Sequence, residues 1–555
     1  MSRIFLLSLL TVLIHTHDGM NTVPHTVNSH AGVEAYSSLE PIWRYRRVLP
    51  PSLLMPAGIP AGQDKPWYPR VKTLPDSTYI MFYQGGTVAS RVLCCYSDDL
   101  IHWNAPKILY SPYSVSIGGD RDYRRFTTID ACLLDDGTLL SIVSYRAGDH
   151  YNQGLGSGLM ASRSTDGGHT WSRPVTIYEG PNWEPYVLQL PDGRIQVYFT
   201  DATSQTRNSG TSLIESFDDG YTFTPKKRVS RQYKYYDKGE RIYTDQMPAV
   251  QLLNDGKTLM CAVEARLELD GPDTRRSYWL SVVYNDGFDW QDLGEDSAGP
   301  KRRSTNVLDS NAPYLVALPS GEVILSTGYH GRHSLKIADH TGTKFNQRHW
   351  ETDWLQPFEQ RGVWGSIEAT ADKHHIISTQ DTKERGILIG VSYLNHRIDA
   401  PAQETVVDGD GREWAGTEAL FIGSDCPTET LFRASHDDTC LYLLAERRDT
   451  SVDAASTIAL SVCQADRPKR KVSLTVGPEG AVGKLPAGVD VQVQRGETAD
   501  GDGGYVAEIA IPLSLLGGGG EMAFYASVRT GKVNDTFFGA REGDSSTWQR
   551  IRLTD

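Results

Sequence analysis

Cysteine is scarce, at 7 of 555 residues, and no two stand at a Cys-x-x-Cys or Cys/His ligand spacing. Zinc ribbons and thioredoxin-like redox motifs are thereby excluded. Cys94, Cys95, Cys132 and Cys261 lie in apolar strand-like runs, where a thiol packs as a small hydrophobe. Cys426 and Cys440 are the two that an oxidising compartment would allow to pair or to remain free. Positive charge is lacking too: 55 Lys and Arg against 69 Asp and Glu leave a net charge of -14. A nucleic-acid partner requires a basic stripe, and the runs Lys226-Lys227-Arg228 and Arg467 to Lys471 are short enough to read as solvated faces. Beyond the N-terminus no apolar run approaches the roughly 18 residues of a bilayer span, so no integral membrane segment is expected. Phosphate-cradling loops, zinc helix motifs and Gly-x-Ser-x-Gly elbows are missing, and neither cofactor nor metal is expected.

The N-terminus does carry a signal. Met1-Ser2-Arg3 precedes the apolar run Ile4 to Ile14, a basic region and hydrophobic region of secretory length. Residues 1–30 therefore read as signal peptide and leader, and the mature protein as secreted or periplasmic. A Pro-rich segment of little periodicity follows, up to Pro66.

From there a strand-turn-strand unit recurs. Units open near Tyr68-Pro69-Arg70, Thr128-Ile129-Asp130, Trp183-Glu184-Pro185, Asp245-Gln246-Met247, Ser310-Asn311-Ala312 and Trp364-Gly365-Ser366, each followed by a turn such as Asp136-Gly137 or Asp192-Gly193. A period of about 45 to 65 residues with several strands per unit is a propeller signature. The fold class is thus all-β: a six-bladed β-propeller over residues 35–400, followed by a β-sandwich domain over residues 411–555. Strand-like runs in the latter include Thr439 to Ala445, Thr457 to Val462 and Tyr505 to Pro512.

A second repeat lies in the loops. Ser164-Thr165-Asp166-Gly167-Gly168-His169-Thr170-Trp171 fits the Asp-box pattern, Ser216 to Phe223 fits with Phe for Trp, and weaker copies begin at Tyr284 and Ser97. Such boxes bond their own turns and act as staples of the fold. With them the chain resembles the sialidase-type six-bladed propellers. The segments His436 to Tyr442, Glu446 to Asp449 and Thr547-Trp548-Gln549-Arg550 resemble family 9 carbohydrate-binding modules, which implies a sandwich that either binds sugar or serves as a spacer.

In a blade the first strand starts and the second ends near the axis on one face, so side chains there converge. The starts supply Arg70, Asp130, Glu184, Asp245 with Gln246, Asn311 with Asp309, and Ser366; the ends supply Gln84, Arg146, Asp201, Glu264, His330 with Arg332, and Asp381. Glycoside cleavage commonly uses two carboxyl groups, and Glu184 and Glu264 come from neighbouring blades. They are the candidate catalytic residues. Arg70, Asp130, Arg146, Trp183, Asp201, Asp245, Asn311, His330, Trp364 and Asp381 are the candidate substrate-binding residues, with Tyr186 and Tyr329 as further stacking platforms.

Sialidases clamp a carboxylate with three arginines. Arg70 resembles the first, but Asp201 stands where the second is expected, and a carboxylate there would repel the anion. The Glu184 and Glu264 pair is more similar to glycoside hydrolase family 93. That resemblance implies retaining, exo-acting release of units from an arabinan-like polysaccharide or oligosaccharide, with Glu184 as acid/base beside its aromatics and Glu264 as nucleophile. Alternatives are a sialidase-like hydrolase of an acidic sugar and a non-catalytic glycan-binding propeller. Oligomeric state is left unassigned.

Overall fold

A computed structural model describes residues 37–60, 63–86, 90–202, 210–236, 239–269, 277–294, 310–338, 354–382, 386–423, 428–449, 451–496 and 504–555. The expected leader, Asp309 and Cys426 lie outside the described residues, while Cys440 carries a free thiol. No described helix is long and apolar enough to cross a membrane.

Residues 38–395 build six antiparallel sheets whose inner strands follow the unit openings read from sequence. Sheet 1 runs outward from Pro66–Thr73, sheet 2 contains Asp120–Leu133 and Leu139–Ala147, and sheet 3 starts at Asn182–Gln189. Sheet 4 contains Gly239–Leu252 and Thr258–Leu269, sheet 5 starts at Tyr314–Ala317, and sheet 6 starts at Val363–Ala369. The outermost strand of sheet 6 is Ser38–Leu49, paired antiparallel with Gly386–Asn395. The Pro-rich lead-in, expected to be irregular, is therefore the strand that closes the ring. Its alternation is interrupted by a register shift between Ile42 and Arg47, which hides the strand period from a sequence reading.

One local device recurs at the axis. The first strand is bulged between Trp67 and Arg70, Phe126 and Ile129, Trp183 and Tyr186, Gln246 and Ala249, and Val363 and Ser366. At four of these five bulges, and at Ala312, a non-glycine residue takes a left-handed conformation: Tyr68 (φ 55°), Glu184 (43°), Met247 (52°), Ala312 (49°) and Trp364 (50°). Four of these five precede Pro69, Pro185, Pro248 and Pro313. Such a conformation costs roughly 1–3 kcal/mol per residue and persists where the surroundings over-determine it.

Side chains of neighbouring sheets hold this inner edge. The amides of Tyr68, Glu184, Met247 and Ala312 donate to Asp381 Oδ2 (3.0 Å), Thr128 Oγ1 (3.1 Å), Thr200 Oγ1 (2.9 Å) and Glu264 Oε2 (2.9 Å). Thr127 Oγ1 donates to Gln84 Oε1 at 2.6 Å, and His333 N to Gln380 Oε1 at 2.6 Å. These six contacts join every sheet to the next and sheet 6 back to sheet 1.

The Asp boxes staple outer turns. Ser164 Oγ donates to Asp166 Oδ1 (2.7 Å), Thr170 N and Oγ1 donate to the same carboxylate, and Trp171 Nε1 donates to Gly168 O. Ser216, Asp218 and Thr222 repeat the pattern.

The C-terminal region forms a seven-stranded and a five-stranded sheet around an apolar core that includes Leu420, Phe432, Leu443, Ile509 and Phe524. Its first strand, Ile398–Pro401, pairs parallel with Gln549–Thr554, so the change of architecture falls at residue 398 and not after 400. Residues 35–555 form one compact unit. Ala419, Phe421 and Leu431 of the sandwich share a core with Ile42, Leu49 and Tyr393 of the closing sheet. Buried Glu40 accepts from Phe538 N at 2.5 Å, and Arg44 pairs with Glu429 at 2.9 Å. Trp414 and Trp548 are buried, with their indole N–H groups donating to Glu508 and to the carbonyl of Arg541, so neither is a sugar platform.

Candidate active site

The strained residues meet at the axis. Tyr68, Met247 and Ala312 are buried together, and Trp364 packs against them with its ring 4.6 Å from that of Tyr68 and nearly parallel. Glu184 is drawn into this group by its own bulge. Its Oε1 accepts from Tyr68 Oη at 3.1 Å and its Oε2 from Thr200 Oγ1 at 2.9 Å. Glu264, buried on the neighbouring sheet, accepts from Gln246 Nε2 on one oxygen and from Ala312 N on the other.

Both carboxyls are pushed above the usual carboxylate range. Burial raises Glu264 to about 7, with the charge of Glu184 adding to it. Burial raises Glu184 as well, opposed by the Thr200 and Tyr68 hydrogen bonds and by the cations Arg146 and Arg70. The Tyr68 phenol is held well above its ordinary value by burial and by both carboxylates.

Arg70 and Arg146 lie near enough to Glu184 to act on its charge. Arg70 is buried, donates to the carbonyls of Pro69 (2.8 Å) and Trp364 (3.4 Å), and lies 5.0 Å from the Tyr314 ring. Arg146 sits 5.1 Å from the rings of both Trp183 and Tyr151, which are themselves joined by a bond from Trp183 Nε1 to Tyr151 Oη (2.5 Å). Trp183 and Trp364 remain partly exposed and suited to stacking. Asn311 is partly exposed in the segment leading into Tyr314–Ala317 of sheet 5, and His330 is an exposed turn residue of the same sheet.

Four expected ligands are engaged elsewhere. Asp201 is fully buried inside sheet 3, bound to Arg228 (2.8 Å), Lys226 (2.7 Å) and Ser212 (3.0 Å). The axial position belongs to its neighbour Thr200, and a one-residue step along a strand reverses the face. The repulsion expected of Asp201 toward a bound anion is therefore absent, and the Lys226-Lys227-Arg228 run is an inward ion cluster instead of a solvated face. Asp245 of sheet 4 accepts from Ser230 Oγ of sheet 3 at 2.6 Å. Asp381 latches the Tyr68 amide. Asp130 lies beneath the site, held by Lys72 (3.2 Å), Tyr314 Oη (3.0 Å) and Val187 N (3.1 Å). Tyr186 belongs to the same buried floor, with its hydroxyl accepting from Gln251, and is no stacking platform.

Tyr68, Thr200 and Tyr151 were not legible as site residues. The repeated residue-before-Pro at the unit openings was the available signal, since Tyr68 and Glu184 occupy equivalent places. Among the described residues no group of three or more His, Cys, Asp or Glu side chains is placed to hold a metal ion.

No family model matches the chain, and no curated protein matches it. Solved structures do resemble it. An α-L-arabinanase from Penicillium chrysogenum complexed with arabinobiose is 16% identical at a TM-score of 0.43, over 64% of this chain and 97% of that one. The intramolecular trans-sialidase from Ruminococcus gnavus, in complex with oseltamivir carboxylate, is 11% identical at 0.41, over 63% and 97%. A family 9 carbohydrate-binding module from Caldicellulosiruptor kristjanssonii in complex with cellotriose is 20% identical at 0.25, over 28% and 93%. The functional reading rests on the side chains themselves.

Proposed function

We propose that the chain is a secreted glycoside hydrolase that uses Glu184 and Glu264 as its carboxyl pair. The observation that carries the reading is that two carboxyls from adjacent sheets, half-buried Glu184 and buried Glu264, border the cluster of Tyr68, Met247, Ala312 and Trp364, and that the charge of Glu184 adds to the raised proton affinity of Glu264. A double-displacement reaction suits such a pair: one carboxylate attacks the anomeric carbon while the other protonates the departing oxygen, and water then releases the sugar. Glu184, whose burial is opposed by the cations Arg146 and Arg70 and by hydrogen bonds from Thr200 and Tyr68, is assigned as the nucleophile. Glu264, protonated up to about 7, is the acid and then the base. This inverts the assignment that the aromatic neighbours of Glu184 favour in the sequence. Trp183 and Trp364 stack the sugar, and Tyr68 orients Glu184. The resemblance of the pair to family 93 supports exo-acting release of neutral pentose units from an arabinan-like chain.

A second reading, hydrolysis of an acidic sugar, is favoured by Arg70 and Arg146, neither of which forms an ion pair among the described residues. Chromatography of products from neutral and acidic polysaccharides, with wild type, Glu184→Gln and Glu264→Gln, tests both. Neutral pentose products that vanish in either variant support the first reading. Acidic monosaccharides, lost in Arg70→Ala, would replace it with the second, and glycan binding without product would leave a binding module.

A further inference from the structure

A second cavity, of about 310 Å³, opens on sheets 1 and 2 and is lined by Gln63, Ser90, Arg91, Pro112, Tyr123 and Arg125. Among the described residues its lining has two guanidinium groups and no carboxylate. Neither Arg91 nor Arg125 forms an ion pair among the described residues, and the Nε of Arg91 is buried without a partner. The polar contacts within it are few: Arg91 Nη2 and Ser90 Oγ donate to Gln63 Oε1 at 3.4 and 2.8 Å. Asp122, three residues before Arg125, is occupied by the amides of Tyr123, Gly148, Asp149 and His150 and by the His150 ring. Both arginines are half-buried, and Asp122, which lies near Arg125, is already taken up by four amides and an imidazole, so in a chain of net charge -14 the two guanidinium groups mark a place for an anion.

Its position ties it to the site above. Arg125 is the cross-strand partner of Arg146, whose guanidinium packs on Trp183 next to Glu184. Directly paired residues share one face of a sheet, with Cβ atoms about 5 Å apart. Tyr123, 47% exposed at the cavity wall, offers a ring on which a sugar can stack.

Resting on the glycosidase reading, we infer that the Arg91 and Arg125 cavity is a subsite for an anionic substituent on the glycan, a carboxylate or a sulfate ester, borne by a unit adjoining the one cleaved. The neutral sugar occupies the Glu184 and Glu264 pocket while its acidic neighbour stacks on Tyr123 and is clamped by the two arginines.

The test uses full-length Glu184→Gln, which retains the pocket without turnover, and titrates it calorimetrically with three probes: uronic-acid-bearing oligosaccharides, O-sulfated oligosaccharides, and the carboxyl-reduced neutral counterparts. The acidic probes should bind about tenfold or more tightly than the neutral ones. Adding Arg91→Ala and Arg125→Ala should abolish that preference and leave neutral binding unchanged; Arg125→Gln, which keeps most of the side chain's bulk, should reproduce the loss with an unchanged melting temperature. Preference for carboxylate over sulfate, or the reverse, identifies the substituent. Equal affinity for all three probes overturns the inference, as does an acidic preference that survives the double substitution and disappears in Arg70→Ala. Failure of the wild type to form product while the acidic preference persists would sink the hydrolase reading alone.

Discussion

Tyr68 Oη donates to Glu184 Oε1 at 3.1 Å while the Tyr68 amide is held by Asp381, so a residue that closes the ring also orients a candidate catalytic carboxylate. Stability of the ring and chemistry of the pocket meet in one side chain.

Azide separates the two carboxyl roles. In Glu184→Gly, azide should restore turnover and yield a glycosyl azide of configuration opposite to the substrate, because it attacks the face the missing nucleophile served. Rescue confined to Glu264 variants with that same inverted product would exchange the roles. Glu264→Gln keeps an acceptor for the Ala312 amide and should melt close to wild type, whereas Glu264→Ala should lose about 1–3 kcal/mol of stability in denaturant titrations.

The pH profile of kcat/KM should fall on its alkaline side as Glu264 loses its proton at about 7. Arg146 lowers the Glu184 pKa, so Arg146→Gln should raise it and move the acidic limb to higher pH, narrowing the optimum from that side. An acidic limb that stays in place would remove Arg146 from the charge balance of the nucleophile.

Asp381 is a latch and not a ligand. Asp381→Ala strands the Tyr68 amide and should cost about 1–3 kcal/mol, while Asp381→Asn, which retains an acceptor, should preserve both stability and KM. A raised KM in Asp381→Asn at unchanged stability would return this residue to the substrate site.

Glu40 adds a pH dependence to the junction between closing strand and sandwich. Burial holds its pKa at about 8 in the folded protein, against an ordinary value of 4.5. Its protonated form is favoured in the native state, so that contribution is present in full below about pH 4.5 and is lost as the pH rises through about 8. Glu40→Gln should therefore raise the melting temperature more at pH 8.5 than at pH 4.5, measured by calorimetry. Equal shifts at both values would show that Glu40 does not titrate across this range.

The strand-turn repeat and the Asp boxes were readable because each depends on local residue types. The sequence also placed Glu184 at a strand start and Glu264 at a strand end in adjacent units, and the two lie on adjacent sheets. Asp201 was misplaced because the bulge between Trp183 and Tyr186 resets the register by an amount no alternation pattern shows. Asp381 and Asp130 were misread for a different reason: buried polar residues that hold backbone amides or a buried lysine look, as sequence, the same as residues awaiting a ligand. The closing strand Ser38–Leu49 was illegible because its partner lies more than 300 positions later.

That long separation sets an order of events during synthesis. Ser38–Leu49 leaves the ribosome first and must wait for Gly386–Asn395 before it can pair. Until then five sheets have an open end, and the early strand, with its unpaired edge, is a template for association with other chains. Chaperone occupancy of residues 38–49 during synthesis should therefore bear on yield.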